Sequence, residues 1–129
     1  MAPAYAVSDM LKQAELRLQD FDFYEIHEAF AAQTIATLKA WQSDEFCRNR
    51  LGRNTAMGPI DLSHLNVKGG SVAIGHPFAA TGARIVGTMA KLLGEKGSGR
   101  GLIVLPESRQ CKLRGTAVQS ITLFSIHII

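Results

Sequence analysis

Asn66-Val-Lys-Gly-Gly-Ser-Val-Ala-Ile-Gly-His-Pro-Phe-Ala-Ala-Thr-Gly-Ala-Arg84 opens as a glycine-rich turn, is closed by a proline and runs on into an apolar segment. Gly70 and Gly75 have the G-x-x-x-x-G spacing of a phosphate loop. His76 and Pro77 stand where that loop needs Lys and Ser/Thr for phosphate and magnesium, so the reading fails. The segment also lacks the G-x-G-x-x-G of a dinucleotide fold. From Phe78 to Leu93 the pattern predicts a helix buried on most sides. Its only polar stripe is Arg84, Thr88 and Lys91, and Gly94 is its expected C-cap.

Downstream, Gly101-Leu-Ile-Val-Leu105 is a short apolar run expected to be an interior strand. Upstream, Asp20 to Phe23 alternates acidic and apolar residues, the period of a half-buried strand continuing to Ile26. The period changes at His27: Phe30, Thr34, Thr37 and Trp41 recur at helical spacing. Residues 8–19 are expected to form a helix capped by Ser8. Gln42 to Leu65 is a long polar excursion with at most one short helix, around Glu45 to Leu51. Ile121 to Ile129 is β-prone, and a strand paired to the sheet is expected within residues 116–129. The fold class is α/β, a mixed sheet with a buried helix and outer helices.

The 129 residues, 47% of them apolar, fit one domain with a real core. Two cysteines, Cys47 and Cys111, exclude a disulfide framework and an all-cysteine zinc site. No apolar run spans a bilayer and no signal peptide is expected, so the expected location is cytoplasmic, or mitochondrial for a eukaryotic source. Residues 1–66 carry six Lys/Arg and nine Asp/Glu, whereas residues 84–114 carry seven and two. The basic charges stand singly with no aromatic among them from Ile85 to Leu113, which argues against nucleic acid and for a solvated face.

His27, His64, His76 and His127 do not pair at ligand spacing, and no metal site is expected. His76, between Gly75 and the rigid Pro77, is placed to poise a proton or donate a hydrogen bond. His27, where a strand runs into a helix, holds a common position for active-site groups in α/β proteins. For each alone, an ordinary turn or cap histidine is the stronger reading; the two contexts together bring a site level with it. Glu28 is read as a structural acid in the first turn of its helix.

Tyr24-Glu-Ile-His-Glu-Ala-Phe-Ala-Ala-Gln33, together with the Gly-His-Pro turn and Ala-Thr-Gly-Ala-Arg84, closely resembles the C-terminal domain of thiolases. The resemblance covers residues 2–105, and the His-Glu-Ala-Phe form is similar to the β-subunit of the fatty-acid oxidation complex. It implies a 3-ketoacyl-CoA thiolase (acetyl-CoA acyltransferase) that cleaves 3-ketoacyl-CoA with CoA in fatty-acid β-oxidation, through an acyl-cysteine. Coenzyme A is a substrate there, and no bound cofactor is implied. His76 matches the histidine that activates the nucleophilic cysteine and helps form an oxyanion hole, and His27 matches the position holding the hole's other partner.

The resemblance also implies partners: acyl-CoA substrates, a thiolase N-terminal domain or a second copy, and the α-subunit of the oxidation complex. Nothing here resembles the N-terminal domain that carries the nucleophile. The second catalytic cysteine and its paired glycines are expected at Pro106 and near Arg109 and Gln110, but the chain reads Leu105-Pro-Glu-Ser-Arg-Gln-Cys-Lys-Leu-Arg114. Cys111 is five positions late, and Cys47 has no role in the family. Residues 106–129 are therefore expected to be a divergent, frameshifted tail on a truncated domain. The isolated chain is expected to be inactive, the alternative being a non-enzymatic remnant or interaction module that keeps thiolase packing surfaces.

Overall fold

The computed structural model describes residues 1–113 and 116–128, with side chains described through Leu105. Helix α1 (Ala2–Gln13) is followed by a 3-10 turn at Leu18–Asp20, strand β1 (Phe23–Ile26), α2 (Ala31–Gln42) and α3 (Asp44–Leu51). After a second 3-10 turn at Leu62–His64 come α4 (Ser71–Ile74), α5 (Thr81–Lys96), β2 (Gly99–Leu113) and β3 (Thr116–Ile128). The strand order is β1-β2-β3, with β1 parallel and β3 antiparallel to β2. The sheet is mixed, as expected.

Strand periodicity divides the core into two faces. Leu102 and Val104 of β2 pack with Tyr24 and Ile26 of β1 against Val7 and Leu11 of α1, Trp41 of α2 and Cys47 of α3. Ile103 and Leu105 point the other way, onto Ile85, Met89 and Leu93 of α5. Each fully buried aliphatic side chain stabilises the fold by about 1.5–3 kcal/mol. Gly101 lies under Met89, whose Sδ would overlap any Cβ at that position. Glycine there lets helix and strand close up.

Several boundaries differ from expectation. Helix α1 starts at Ala2 because Pro3 fits the first helical turn, where its missing N–H is no loss. Ser8 is no cap: it lies buried inside the helix and its hydroxyl accepts from Arg53 Nε at 2.8 Å. Only Phe23–Ile26 forms the strand, since Asp20 instead closes the 3-10 turn by accepting from Arg17 N at 2.8 Å. Helix α5 begins at Thr81 rather than Phe78, because Pro77–Ala80 forms a turn with Ala79 at φ 66°. It ends at Lys96, with Gly97 (φ 94°) rather than Gly94 as its cap. It is also buried along one stripe only: Thr81, Ile85, Met89, Leu92 and Leu93.

The expected excursion helix is present as α3, with Ser43 accepting from Phe46 N at its start. The interior strand at 101–105 continues to Leu113, with a register irregularity between Pro106 and Gln110. Pro106 is tolerated because β1 ends opposite Val104, so among the described residues β2 has no strand neighbour on that side beyond it. The strand expected within 116–129 is β3, which pairs with β2 over its length. The backbone register sets Cys111 opposite Val118. Its side chain, and thus the expectation that no cysteine sulfur lies beside His76, falls outside the described residues.

Candidate functional site

The site forms where β1 ends. His27 N donates to Val104 O at 2.9 Å, extending the β1–β2 pairing by one residue. On the other edge Asn66 substitutes for a strand: its Oδ1 accepts from Ile26 N at 2.9 Å and its Nδ2 donates to Ile26 O at 3.0 Å. Asn66 N also donates to Tyr24 O at 2.8 Å. Asn66 has φ 49°, a left-handed conformation that asparagine tolerates better than most residues.

The following turn brings Gly70 against Glu28. A Cβ on Gly70 would overlap the Glu28 carboxylate and come within 2.8 Å of Asn66 Nδ2. Glu28 Oε2 accepts from Val72 N at 3.2 Å, so this acid serves the start of α4. It does not lie in the first turn of its own helix, as expected, because α2 begins only at Ala31. Gly75 (φ 97°) then turns the chain so that His76 leaves α4 toward His27.

The two histidines expected to matter meet here. Their ring centroids are 4.3 Å apart and the rings are inclined at 45°. His76 Nδ1 is 2.7 Å from Thr81 Oγ1, and that hydroxyl donates to Pro77 O at 3.3 Å. A threonine hydroxyl has one proton, and with it on Pro77 O the oxygen accepts from His76 Nδ1–H. Nε2 of His76 is left with its lone pair, the form of a base.

His27 is held in the same way by a serine. Its Nδ1 lies 2.8 Å from Ser71 Oγ, which accepts from Arg84 Nη2 at 3.0 Å. Arginine only donates, so it takes one lone pair of Ser71 Oγ; the other meets His27 Nδ1–H in one ring tautomer, and the serine proton meets Nδ1 in the other, which leaves Nε2–H as a donor. Burial, His76 and Arg84 together hold the His27 pKa below its ordinary value, against the opposing pull of Glu28.

Residue pattern did not identify Ser71, Thr81 or Arg84 as members of this site. Arg84 was expected on a solvated stripe; it turns inward to Ser71, and its Nε is buried. A polar residue opening a largely apolar helix was the available signal. The remaining histidines stay outside: His64 lies beside the Phe23 ring, with centroids 5.7 Å apart, and His127 has its side chain outside the described residues. Cys47 is buried in the α1–α3 core and directs its thiol to Ala40 O and Trp41 O. Among the described residues no cluster of His, Cys, Asp or Glu is arranged to hold a metal, and no helix is long and apolar enough to cross a membrane.

This histidine-bearing turn lies within the stretch shared with known proteins. The chain is 52% identical over 102 residues to a 3-ketoacyl-CoA thiolase of Pectobacterium atrosepticum, covering 79% of this chain and 23% of that protein. The corresponding protein of Photorhabdus laumondii is 51% identical over the same length and coverage. The chain thus spans about a quarter of the length of the curated relatives it matches. Among solved structures, peroxisomal 3-ketoacyl-CoA thiolase of Saccharomyces cerevisiae superposes with a TM-score of 0.58 at 36% identity, over 79% of this chain and 24% of that one. An acetyl-CoA acetyltransferase from Syntrophomonas wolfei gives 0.60 at 33% identity, over 80% and 23%. The family model described as "Thiolase, C-terminal domain" matches residues 1–122, and with sequence and fold in agreement this chain belongs to the thiolase family as part of its C-terminal domain.

Proposed function

We propose that this chain is the C-terminal part of an acetyl-CoA C-acyltransferase whose reaction is the thiolysis of 3-ketoacyl-CoA in fatty-acid β-oxidation. The observation that carries this reading is the apposed histidine pair, each ring held at Nδ1 by a hydroxyl so that both Nε2 atoms are left for chemistry. In this reading a cysteine from a thiolase N-terminal domain passes its proton to His76 Nε2. The resulting thiolate attacks the 3-keto carbonyl, and the bond between C2 and C3 breaks with its electron pair on C2, which takes up the proton held by His76 to leave as acetyl-CoA, the other product being an acyl-cysteine. CoA then takes the shortened acyl group. The protonated His76 and the His27 Nε2–H supply donors where the substrate oxygen gains negative charge. Each such donor is worth about 3–4 kcal/mol in related acyl transfers.

Without a nucleophile the donors have no covalent step to assist, so the isolated chain is inactive in this reading. The domain boundary is placed at residue 105, with 106–129 a tail in an altered reading frame. Support comes from the Leu105-Pro-Glu-Ser-Arg109 sequence, which lacks the family's cysteine and glycines. Sequencing the coding DNA around Leu105 tests it: a shifted frame should contain Cys and Gly-Gly codons, and their absence overturns it.

A second reading, a non-enzymatic packing module, draws on the apolar rim around the site. Phe78 is 90% exposed, and Phe30, Val72 and Ile74 are also largely exposed. Both readings give that rim to a thiolase N-terminal domain or a second copy; one solved relative, the peroxisomal thiolase of Saccharomyces cerevisiae, is described as dimeric. Acetoacetyl-CoA thiolysis, measured with and without a separately supplied N-terminal domain, divides them. Turnover restored by that domain and lost in His76→Ala supports the enzyme. Complex formation without turnover supports the module.

A further inference from the structure

Both histidines of the pair are tied to one helix. Thr81 and Arg84 stand three residues apart at the start of α5 and so share a face of it. Thr81 Oγ1 lies 2.7 Å from His76 Nδ1. Arg84 Nη2 donates at 3.0 Å to Ser71 Oγ, which lies 2.8 Å from His27 Nδ1. The helix is itself seated on the sheet through Ile85, Met89 and Leu93. One rigid element thus reaches both rings, His76 directly and His27 through a serine.

Arg84 gains little else from its position. Among the described residues Ser71 Oγ is the only hydrogen-bond acceptor of its guanidinium, and it forms no ion pair. Its Nε is buried without a partner. An unpaired buried donor costs stability, so for folding alone an apolar side chain of similar length would suit this helix better. Ser71, 6% exposed, in turn sits on a firm support: Gly70 is packed against the Glu28 carboxylate, and Glu28 Oε2 accepts from Val72 N at 3.2 Å.

We propose that Arg84 is a positioning residue for His27: by gripping Ser71 it keeps the His27 ring against the ring of His76, so that α5 sets the spacing of the pair. Either ring tautomer of His27 is held in this way, since a hydroxyl both donates and accepts. The use of that fixed spacing is the acyl transfer described above, and the assignment rests on that reading.

Ring-to-ring NMR cross-peaks in the full chain, labelled at its histidine and phenylalanine side chains, test this without turnover. The native chain should show a His27–His76 cross-peak, from rings 4.3 Å apart, and a His76–Phe78 cross-peak, from rings 5.3 Å apart. Arg84→Met should lose most of the first and keep the second. Its urea midpoint, read from the fluorescence of the buried Trp41, should stay at or above the native value. Arg84→Lys, which keeps a cation for Ser71, should recover part of the lost cross-peak. Ser71→Ala cuts the link at its other end and should lose the first cross-peak again, which decides the matter if Arg84→Met does not fold. A His27–His76 cross-peak of native strength in either Arg84→Met or Ser71→Ala overturns the proposal. So does a lowered midpoint with both cross-peaks lost together in Arg84→Met, the mark of a merely structural arginine. No thiolysis in the domain-mixing assay, with the cross-peaks as expected, counts against the thiolase reading alone.

Discussion

Replacing Asn66 separates the two things that residue does. Its side chain satisfies both Ile26 N and Ile26 O, and its backbone holds φ 49°. Asn66→Gly and Asn66→Ala both remove the two hydrogen bonds, at about 1 kcal/mol each, and expose a buried N–H to a cost of about 1–3 kcal/mol if nothing replaces the partner. The two variants differ in the backbone. Alanine adds roughly 1–2 kcal/mol of left-handed strain, whereas glycine adds about 0.4–1 kcal/mol of unfolded-state entropy.

The alanine variant should therefore be the weaker of the two by roughly 0.5–1 kcal/mol. Trp41, the single tryptophan and fully buried, gives a direct fluorescence signal for urea unfolding. With a slope of about 1–3 kcal/mol/M, both midpoints should fall by roughly 1–2 M, that of Asn66→Ala further. A glycine variant at or below the alanine variant refutes the backbone argument. Native midpoints in both refute the idea that Asn66 acts as a surrogate strand. Because Ile26 immediately precedes His27, the ring contact with His76 should loosen in step with the lost stability.

Stability should also respond to pH through two groups of opposite sign. Glu25, raised from 4.5 to about 7, holds its proton in the folded state after the unfolded chain has lost it, so its contribution is present below pH 4.5 and is lost as pH rises to 7. At about 1.4 kcal/mol per pH unit the fall approaches roughly 3 kcal/mol, and Glu25→Gln should flatten it in urea midpoints taken across that range. His27, lowered from 6.5, works the other way: its contribution is present above 6.5 and is lost on acidification, and His27→Gln should remove that component. Gly101→Ala should cost about 1–3 kcal/mol by overlap with Met89, and adding Met89→Ala should recover part of the loss; an additive double variant refutes the contact. The exposed Phe78, Val72 and Ile74 should bind a hydrophobic dye and drive association seen by light scattering, both reduced in Phe78→Ser; a monodisperse, dye-free native chain refutes this.

The meeting of His27 and His76 was legible because each carries a local signal: a change of period at one, and glycine and proline flanking the other. Strand β1, helix α2 and helix α3 were legible for the same reason. The polar groups that hold the two rings were not. Ser71 lies 44 residues from His27, and periodicity carries no information about which polar groups a fold brings together. Arg84 also sits where its spacing with Thr88 and Lys91 mimics a solvated stripe, and only the fold separates it from them. The start of α1 was available in Pro3, whose place in a first helical turn is a stronger signal than a mid-helix serine.

Strand β3 has consequences for the chain in company. It is the outermost strand of the sheet on its side and runs from Thr116 to Ile128 without a lysine, acid or proline. Natural edge strands are usually kept short, charged or interrupted, since their free N–H and C=O groups invite another chain to add alongside. Here thirteen residues, nine of them β-branched or apolar, have one side of the backbone unpaired among the described residues. Strand addition there grows a sheet from copy to copy and has no natural end point, unlike a closed dimer. Concentration and time in solution should therefore govern how this chain behaves, and a charged residue or proline introduced between Val118 and Phe124 should extend its life as a discrete species.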